Sequence, residues 1–170
     1  RADVPTVALV GYTNAGKTTL FNRLTKSDAT ASDALFVTLD PLVRRLRLPD
    51  ERELLVSDTV GFIDRLPHAL VAAFRATLEE AVHSDLLLIV VDLAHPRARH
   101  QLDTVFEVLD EIGANDVPRI RVFNKIDDVG DAAAQAEREA ALQARYPDCV
   151  VMSARRPDDV ARLRRTIVAF

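Results

Sequence analysis

Gly11-Tyr12-Thr13-Asn14-Ala15-Gly16-Lys17-Thr18 is the stretch whose reading decides the fold. It matches the pattern GxxxxGK[ST], and its flanks supply the context that pattern needs. Before it, Val7–Val10 is a short, largely apolar run suited to a strand; after it, Lys17–Leu24 has helical character. A strand, a tight loop and a helix start in that order make a phosphate-binding loop. The helix N-terminus offers unpaired N–H groups and a positive dipole end. Gly11 and Gly16 let the backbone wrap phosphates, Lys17 supplies a point charge to the β- and γ-phosphates, and Thr18 can ligate Mg²⁺. Thr13, Asn14, Ala15 and Thr19 complete the phosphate-facing set. The loop specifies a nucleoside triphosphate and leaves both the base and hydrolysis open.

Working outward, apolar runs alternate in period. Val43–Leu48 and Leu54–Ser57 read as strands, and the short link Pro49–Glu53 between them allows only a hairpin. Leu86–Val91 is continuously apolar, as a central strand covered on both faces would be. Ile120–Phe123 and Val150–Met152 are further strands. Helical spacing predicts helices over His68–Val82, His100–Ile112 and Asp158–Phe170, the last with Val160, Leu163, Ile167 and Phe170 on one face, and the Ala-rich Asp131–Arg145 is helical by propensity, with a weak face. Strands alternating with helices, with a phosphate loop after the first strand, give an α/β domain. The expectation is about six strands in a mostly parallel sheet, one antiparallel edge strand, and helices on both faces.

Asn124-Lys125-Ile126-Asp127 follows the strand Ile120–Phe123. A carboxylate at Asp127 can accept two hydrogen bonds from guanine N1–H and its exocyclic amine, a pair of donors that adenine lacks on that edge. A site built for those bonds rejects an analogue without them. The Lys125 stem can lie over the purine, and Asn124 can tie this loop to the phosphate loop. Ser153-Ala154, after the last strand, can offer a backbone N–H to guanine O6.

Asp58-Thr59-Val60-Gly61 ends the strand Leu54–Ser57. Asp58 can hold Mg²⁺ through water and the Gly61 N–H can reach a γ-phosphate. Thr38, in the loop Thr25–Pro41, is the candidate second protein ligand for Mg²⁺. Phe62 follows Gly61, where a water-orienting glutamine would serve hydrolysis. A phenyl ring cannot orient water, so slow intrinsic turnover is expected. Asn14 is a candidate ligand for K⁺ between the phosphates. The catalytic set is then Lys17, Thr38, Gly61 and Asn14; the metal set is Thr18, Thr38 and Asp58.

Composition bounds the partners. The 170 residues carry a formal net charge of −4, which argues against a general grip on DNA by this domain. No apolar run is long enough to span a bilayer. The single cysteine, Cys149, cannot form an internal disulfide, which suits a cytoplasmic setting. Arg155, Arg156, Arg162, Arg164 and Arg165 form a basic cluster read as helix-end or solvated charge. Of only five glycines, Gly11, Gly16 and Gly61 fall in the phosphate motifs; Gly113 and Gly130 read as turn residues.

The motifs GYTNAGKT, DTVGF, NKID and SA together resemble the Ras-like GTPase domains. Val7 through Thr25, Leu35-Phe36-Val37-Thr38-Leu39-Asp40-Pro41, and Asp58-Thr59-Val60-Gly61-Phe62-Ile63 with Leu66-Pro67-His68 and Ala72-Ala73-Phe74 are similar to the HflX family of the Obg–HflX superfamily. The resemblance implies a GTP/GDP-binding, Mg²⁺-dependent hydrolase. It also implies a partnership of the full-length protein with the large ribosomal subunit, weak or absent for this fragment. It further implies a family-specific domain N-terminal to the GTPase domain, so residues 1–170 are expected to be the GTPase domain alone. Val37 stands where the family often has Ala, and Arg155 where it often has Lys. Two rivals stay open: a GTP-responsive binding module with negligible turnover, and a P-loop nucleotide kinase. The guanine-reading tetrad and DTVG argue against the kinase.

Overall fold

The computed structural model describes residues 4–25, 42–48, 50–59, 61–62, 75–76 and 78–170. Six strands form one sheet: β1 (Thr6–Gly11), β2 (Leu42–Arg47), β3 (Glu53–Asp58), β4 (Leu86–Asp92), β5 (Arg119–Asn124) and β6 (Val150–Val151), in the order β2-β3-β1-β4-β5-β6. The hairpin inferred from the short Pro49–Glu53 link makes β2 antiparallel to β3, at the sheet edge. The pairs β1–β3, β1–β4, β4–β5 and β5–β6 are parallel.

Successive side chains of the inner strands enter two separate cores. Val7 and Leu9 of β1, with Leu86, Leu88 and Val90 of β4, face helix α1 (Lys17–Thr25) and the C-terminal helix Pro157–Ala169. Ala8 and Val10, with Leu87, Ile89 and Val91, face Leu102, Val105 and Leu109 of helix α2 (Ala98–Glu111). Every residue of β4 is buried, so its continuous apolar run is explained by cover on both faces. Each leucine or valine so buried stabilises the fold by roughly 1.5–3 kcal/mol.

Helix ends follow their local chemistry. Helix α3 (Ala132–Arg145) starts where the Asp131 side chain accepts a hydrogen bond from the Ala134 N–H, a capping interaction. Pro157 opens helix α4 (Pro157–Ala169) at its first turn, where its missing N–H costs nothing. Helix α2 stops before Gly113, whose φ of +83° suits glycine alone without strain. Part of the basic cluster binds backbone carbonyls: Arg164 donates to those of Arg23 and Leu24 at the end of α1, capping that helix, and Arg162 donates to that of Val151 in β6.

Two expectations need correction. Phe170 leaves the apolar face of α4 and is 64% exposed, because the helix ends one residue before it, at Ala169. The predicted helix His68–Val82 falls largely outside the described residues. Its described end is helical at 75–76 and 78–79, then tightens into a 3-10 turn over Glu80–His83, which delivers Leu78 and Ala81 to the core under α2. Thr38, the stretch Leu35–Pro41, and the segment from Ile63 to Phe74 also lie outside the described residues.

Candidate functional site

All parallel strands point their C-terminal ends to one side of the sheet. Strand order reverses at β1, with β3 on one flank and β4 on the other, and a ligand crevice belongs at such a switch point. A cavity of about 400 Å³ opens there, lined by Thr13, Asn14, Gly16, Thr18, Thr19, Asn124, Lys125, Asp127, Ser153, Ala154 and Arg155. Residues more than a hundred positions apart in sequence thus share one cavity.

The loop from Tyr12 to Gly16 contains one 3-10 turn, Thr13–Ala15, and Gly16 at φ +82° releases the chain into α1. A Cβ on Gly16 would stand 2.6 Å from the Asn124 amide nitrogen. Gly11 is confined differently: a Cβ there would meet the Val90 carbonyl of β4 at 2.5 Å. Its glycine therefore serves strand packing at the root of the loop. A second loop closes on the first from the β3 side. Thr13 N–H donates to Phe62 O and Phe62 N–H to Gly11 O, each at 2.9 Å, and the Tyr12 and Phe62 rings meet at 5.7 Å. Phe62 is 3% exposed, so the ring that replaces a water-orienting side chain is a packing residue. Gly61 lies against Thr13, where a Cβ would come within 2.6 Å of its methyl carbon.

Lys17 and Asp58 sit behind the cavity, 3% and 0% exposed. The Lys17 ammonium donates to Asp58 Oδ1 and to the Thr59 carbonyl, while Thr18 Oγ1 donates to Asp58 Oδ2 at 3.3 Å. Burial pushes the Lys17 pKa below the ordinary lysine range, against the opposing pull of Asp58. Thr59 is held by its hydroxyl on Leu9 O at 2.8 Å. Lys17, Thr18 and Asp58 are therefore brought together from two loops, as the motifs predict.

Asn124 is the hinge of the other half. It is 2% exposed, and its amide donates to Ala15 O while its carbonyl accepts from the Ala154 N–H, both at 3.0 Å. One side chain thus binds the phosphate loop, the NKID loop and the Ser153-Ala154 turn together. Lys125 adopts φ +68°, a left-handed conformation unusual for a residue with a side chain. From there its ammonium reaches Asn14 O at 2.7 Å and Asp92 Oδ2 at 3.3 Å, so its stem spans the cavity wall. Ser153 N–H donates to Asp159 Oδ2 at 2.9 Å, which fixes the turn to the start of α4.

The motifs do not point to Asp92 or Arg155. Asp92 pairs in register with Asn124 across β4 and β5, and only the sheet reveals that. Arg155 sits 3.6 Å from Asp127 Oδ2 and 3.9 Å from Asp128 Oδ1; its departure from lysine, visible in the sequence, is the one signal for it.

A family model described as 50S ribosome-binding GTPase matches residues 6–125, from the first residue of β1 through Lys125. The chain belongs to this GTPase family. The HflX resemblance holds as well. The GTPase HflX of Gluconacetobacter diazotrophicus is 50% identical over 170 residues, all of this chain, and that of Escherichia coli is 52% identical over 139 residues, or 82% of it. The chain spans 37% and 33% of the length of these two relatives. Among solved structures, a GTP-binding protein from Sulfolobus solfataricus in complex with GDP aligns at TM-score 0.75 and 33% identity, over 97% of this chain and 51% of that one. Era in complex with MgGDPNP and a segment of 16S ribosomal RNA aligns at TM-score 0.76 over 100% of this chain and 57% of that one; at 24% identity it speaks for the fold alone. The family match ends before Asp127, Ser153 and Ala154, whereas the similarity to the Gluconacetobacter diazotrophicus HflX runs through all three. Among the described residues no helix is long and apolar enough to cross a membrane.

Proposed function

We propose that this HflX-type GTPase domain reads guanine through Asp127 and the Ala154 N–H and hydrolyses GTP slowly until a partner completes the site. The observation that carries this reading is the Asn124 bridge, which ties the phosphate loop to both base-reading segments at 3.0 Å on each side. Lys125 covers the purine and Asp127 accepts from its edge. Gly11 roots the phosphate loop on β4, Thr13, Asn14, Ala15, Gly16, Lys17 and Thr19 take the phosphates, and the Gly61 N–H faces the γ-phosphate. Water is the nucleophile, and the gain comes from positioning and charge stabilisation.

The residues present fit Mg²⁺. Thr18 Oγ1 and Asp58 Oδ2 are hard oxygen donors 3.3 Å apart, and no cluster of three or more His, Cys, Asp or Glu suited to a metal occurs among the described residues. That suits an ion that keeps its waters and borrows phosphate oxygens. Thr18, Asp58 and, in the triphosphate state, Thr38 would hold that ion, whose positive charge would stabilise the phosphates during cleavage. Asn14 is exposed at the cavity wall and is our candidate K⁺ ligand. If turnover is equal in KCl and NaCl, or keeps its K⁺ response in Asn14→Ala, that role is lost.

The full-length protein would meet the large ribosomal subunit, consistent with the family's description, in the cytoplasm. The burial of Phe62 against Tyr12 favours one second reading, a GTP-responsive module with negligible turnover of its own. Single-turnover hydrolysis with and without large ribosomal subunits separates the two. Measurable GTP cleavage by the domain supports the hydrolase, and none under either condition supports the module. Binding of ATP as tightly as GTP would overturn both.

A further inference from the structure

Five arginines gather on the face made by β5, α2 and α3, away from the nucleotide cavity: Arg99, Arg119, Arg121, Arg138 and Arg145. Arg45, Arg47, Arg52, Arg155 and Arg162 each sit within 4.0 Å of a carboxylate. None of the five does so among the described residues. Three of them lie against rings, and two of those three also donate hydrogen bonds, Arg119 to the Ala114 and Val117 carbonyls and Arg145 to the Tyr146 hydroxyl. Arg121 is stacked between Phe106 at 4.8 Å and Tyr146 at 4.6 Å, Arg119 lies over Phe106 at 5.4 Å, and Arg145 over Tyr146 at 5.3 Å. The Arg121 Nε is buried with no hydrogen-bond partner, and such an atom in a folded protein calls for an explanation.

Beside this ladder a second cavity, about 170 Å³, opens between α2 and α3. Its floor is Val91, Leu93, Leu102, Phe123 and Leu142, and the exposed Arg99, Arg138 and Arg145 complete its wall. An apolar cavity of roughly 150 Å³ accepts a benzene-sized group, so this one suits a single leucine or phenylalanine side chain. An adjoining depression continues past Arg145 and Tyr146 to Arg121 and also contains Asp148.

We propose that this face docks an acidic peptide segment of a partner protein, an apolar side chain entering the cavity and flanking carboxylates pairing with Arg99, Arg138 and Arg145. The pairing of an apolar anchor with charged flanks is a recurring mode of peptide recognition. Guanidinium groups offer carboxylates a bidentate fork. A concentration of unpaired cation on a domain of net charge −4 gives a local complement to such a segment. Single-stranded RNA fits less well: base recognition needs open ring faces, and the Phe106 and Tyr146 faces are already covered by arginine. This docking site does not depend on the nucleotide reading.

The test is fluorescence anisotropy with a short labelled acidic peptide carrying one central phenylalanine. Its controls are the same peptide with alanine at the centre and an oligouridine of equal length. The expected result is saturable binding that weakens at least about tenfold in Arg99→Glu/Arg138→Glu and about tenfold with the alanine peptide, while GDP affinity of the variant is unchanged. Preference for oligouridine would overturn the proposal in favour of an RNA surface. Concentration-dependent self-association abolished by the same variant would assign the face to a second copy. No binding, or binding indifferent to both the arginines and the anchor, would also overturn it.

Discussion

Replacing Asn124 with alanine removes a side chain that ties the phosphate loop, the NKID loop and the Ser153-Ala154 turn together. The change deletes two buried hydrogen bonds and orphans the Ala15 carbonyl and the Ala154 N–H, both from residues nearly inaccessible to solvent. Each orphaned buried group costs about 1–3 kcal/mol. Ala154 lines the cavity, where water can reach it, so the combined loss should fall near 2–4 kcal/mol rather than at the upper limit. For a domain of this size each kcal/mol moves the melting temperature by about 2–4 °C, so Asn124→Ala should melt about 4–16 °C lower. Gly16 and Asn124 are also in contact range, since any Cβ on Gly16 would clash with the amide, so the phosphate loop loses its backstop. GDP affinity measured by calorimetry should fall by about tenfold or more. A variant melting within about 1 °C of the parent and binding GDP within about twofold would refute the idea that this residue couples the halves of the site.

Three further outcomes follow from the geometry. Gly11→Ala and Gly16→Ala should separate: the first pushes a Cβ into the Val90 carbonyl and should cost about 1–3 kcal/mol of stability in urea denaturation. The second, at positive φ beside Asn124, should weaken GDP binding more than it lowers the denaturation midpoint. Burial holds the folded-state pKa of Lys17 below its ordinary value of 10.5. The unfolded chain therefore binds more protons in that interval, and the Lys17 contribution to stability should rise as pH increases through the folded pKa toward 10.5. In urea melts across that range the parent should gain on Lys17→Met, and a constant difference would contradict this. Arg155→Ala should change stability by no more than about 0.5 kcal/mol, because its pair with Asp127 is on a side chain 74% exposed; a larger loss in denaturation would show that the contact is structural.

The sheet and both halves of the site were legible because their signals are local. The run Leu86–Val91 could only be covered on both faces. The link Pro49–Glu53 could only be a hairpin. GYTNAGKT and NKID each carry their own loop geometry. What escaped depends on contacts between distant segments. Asp92 looks like any residue ending a strand until register sets it beside Asn124. Phe106, Arg121 and Tyr146 come from a helix, a strand and a loop, and only the packed fold makes them a ladder. Periodicity carried Phe170 onto the face of α4 although the helix stops one residue earlier, since spacing records which side a residue faces and not whether anything covers it. The motif gives Gly11 a phosphate role, but its packing role depends on the assembled sheet, where the atom nearest its missing side chain belongs to the neighbouring strand.

Base choice by Asp127 is the central claim, and exchanging its hydrogen-bonding polarity tests it most directly. GDP and xanthosine diphosphate affinities should be measured for the parent and for Asp127→Asn. The side-chain amide can donate to the xanthine oxygen where the carboxylate accepts from the guanine amine. The account predicts that the parent prefers GDP strongly and that the variant shifts its preference toward the xanthine nucleotide. A variant that still prefers GDP by the same factor would contradict it.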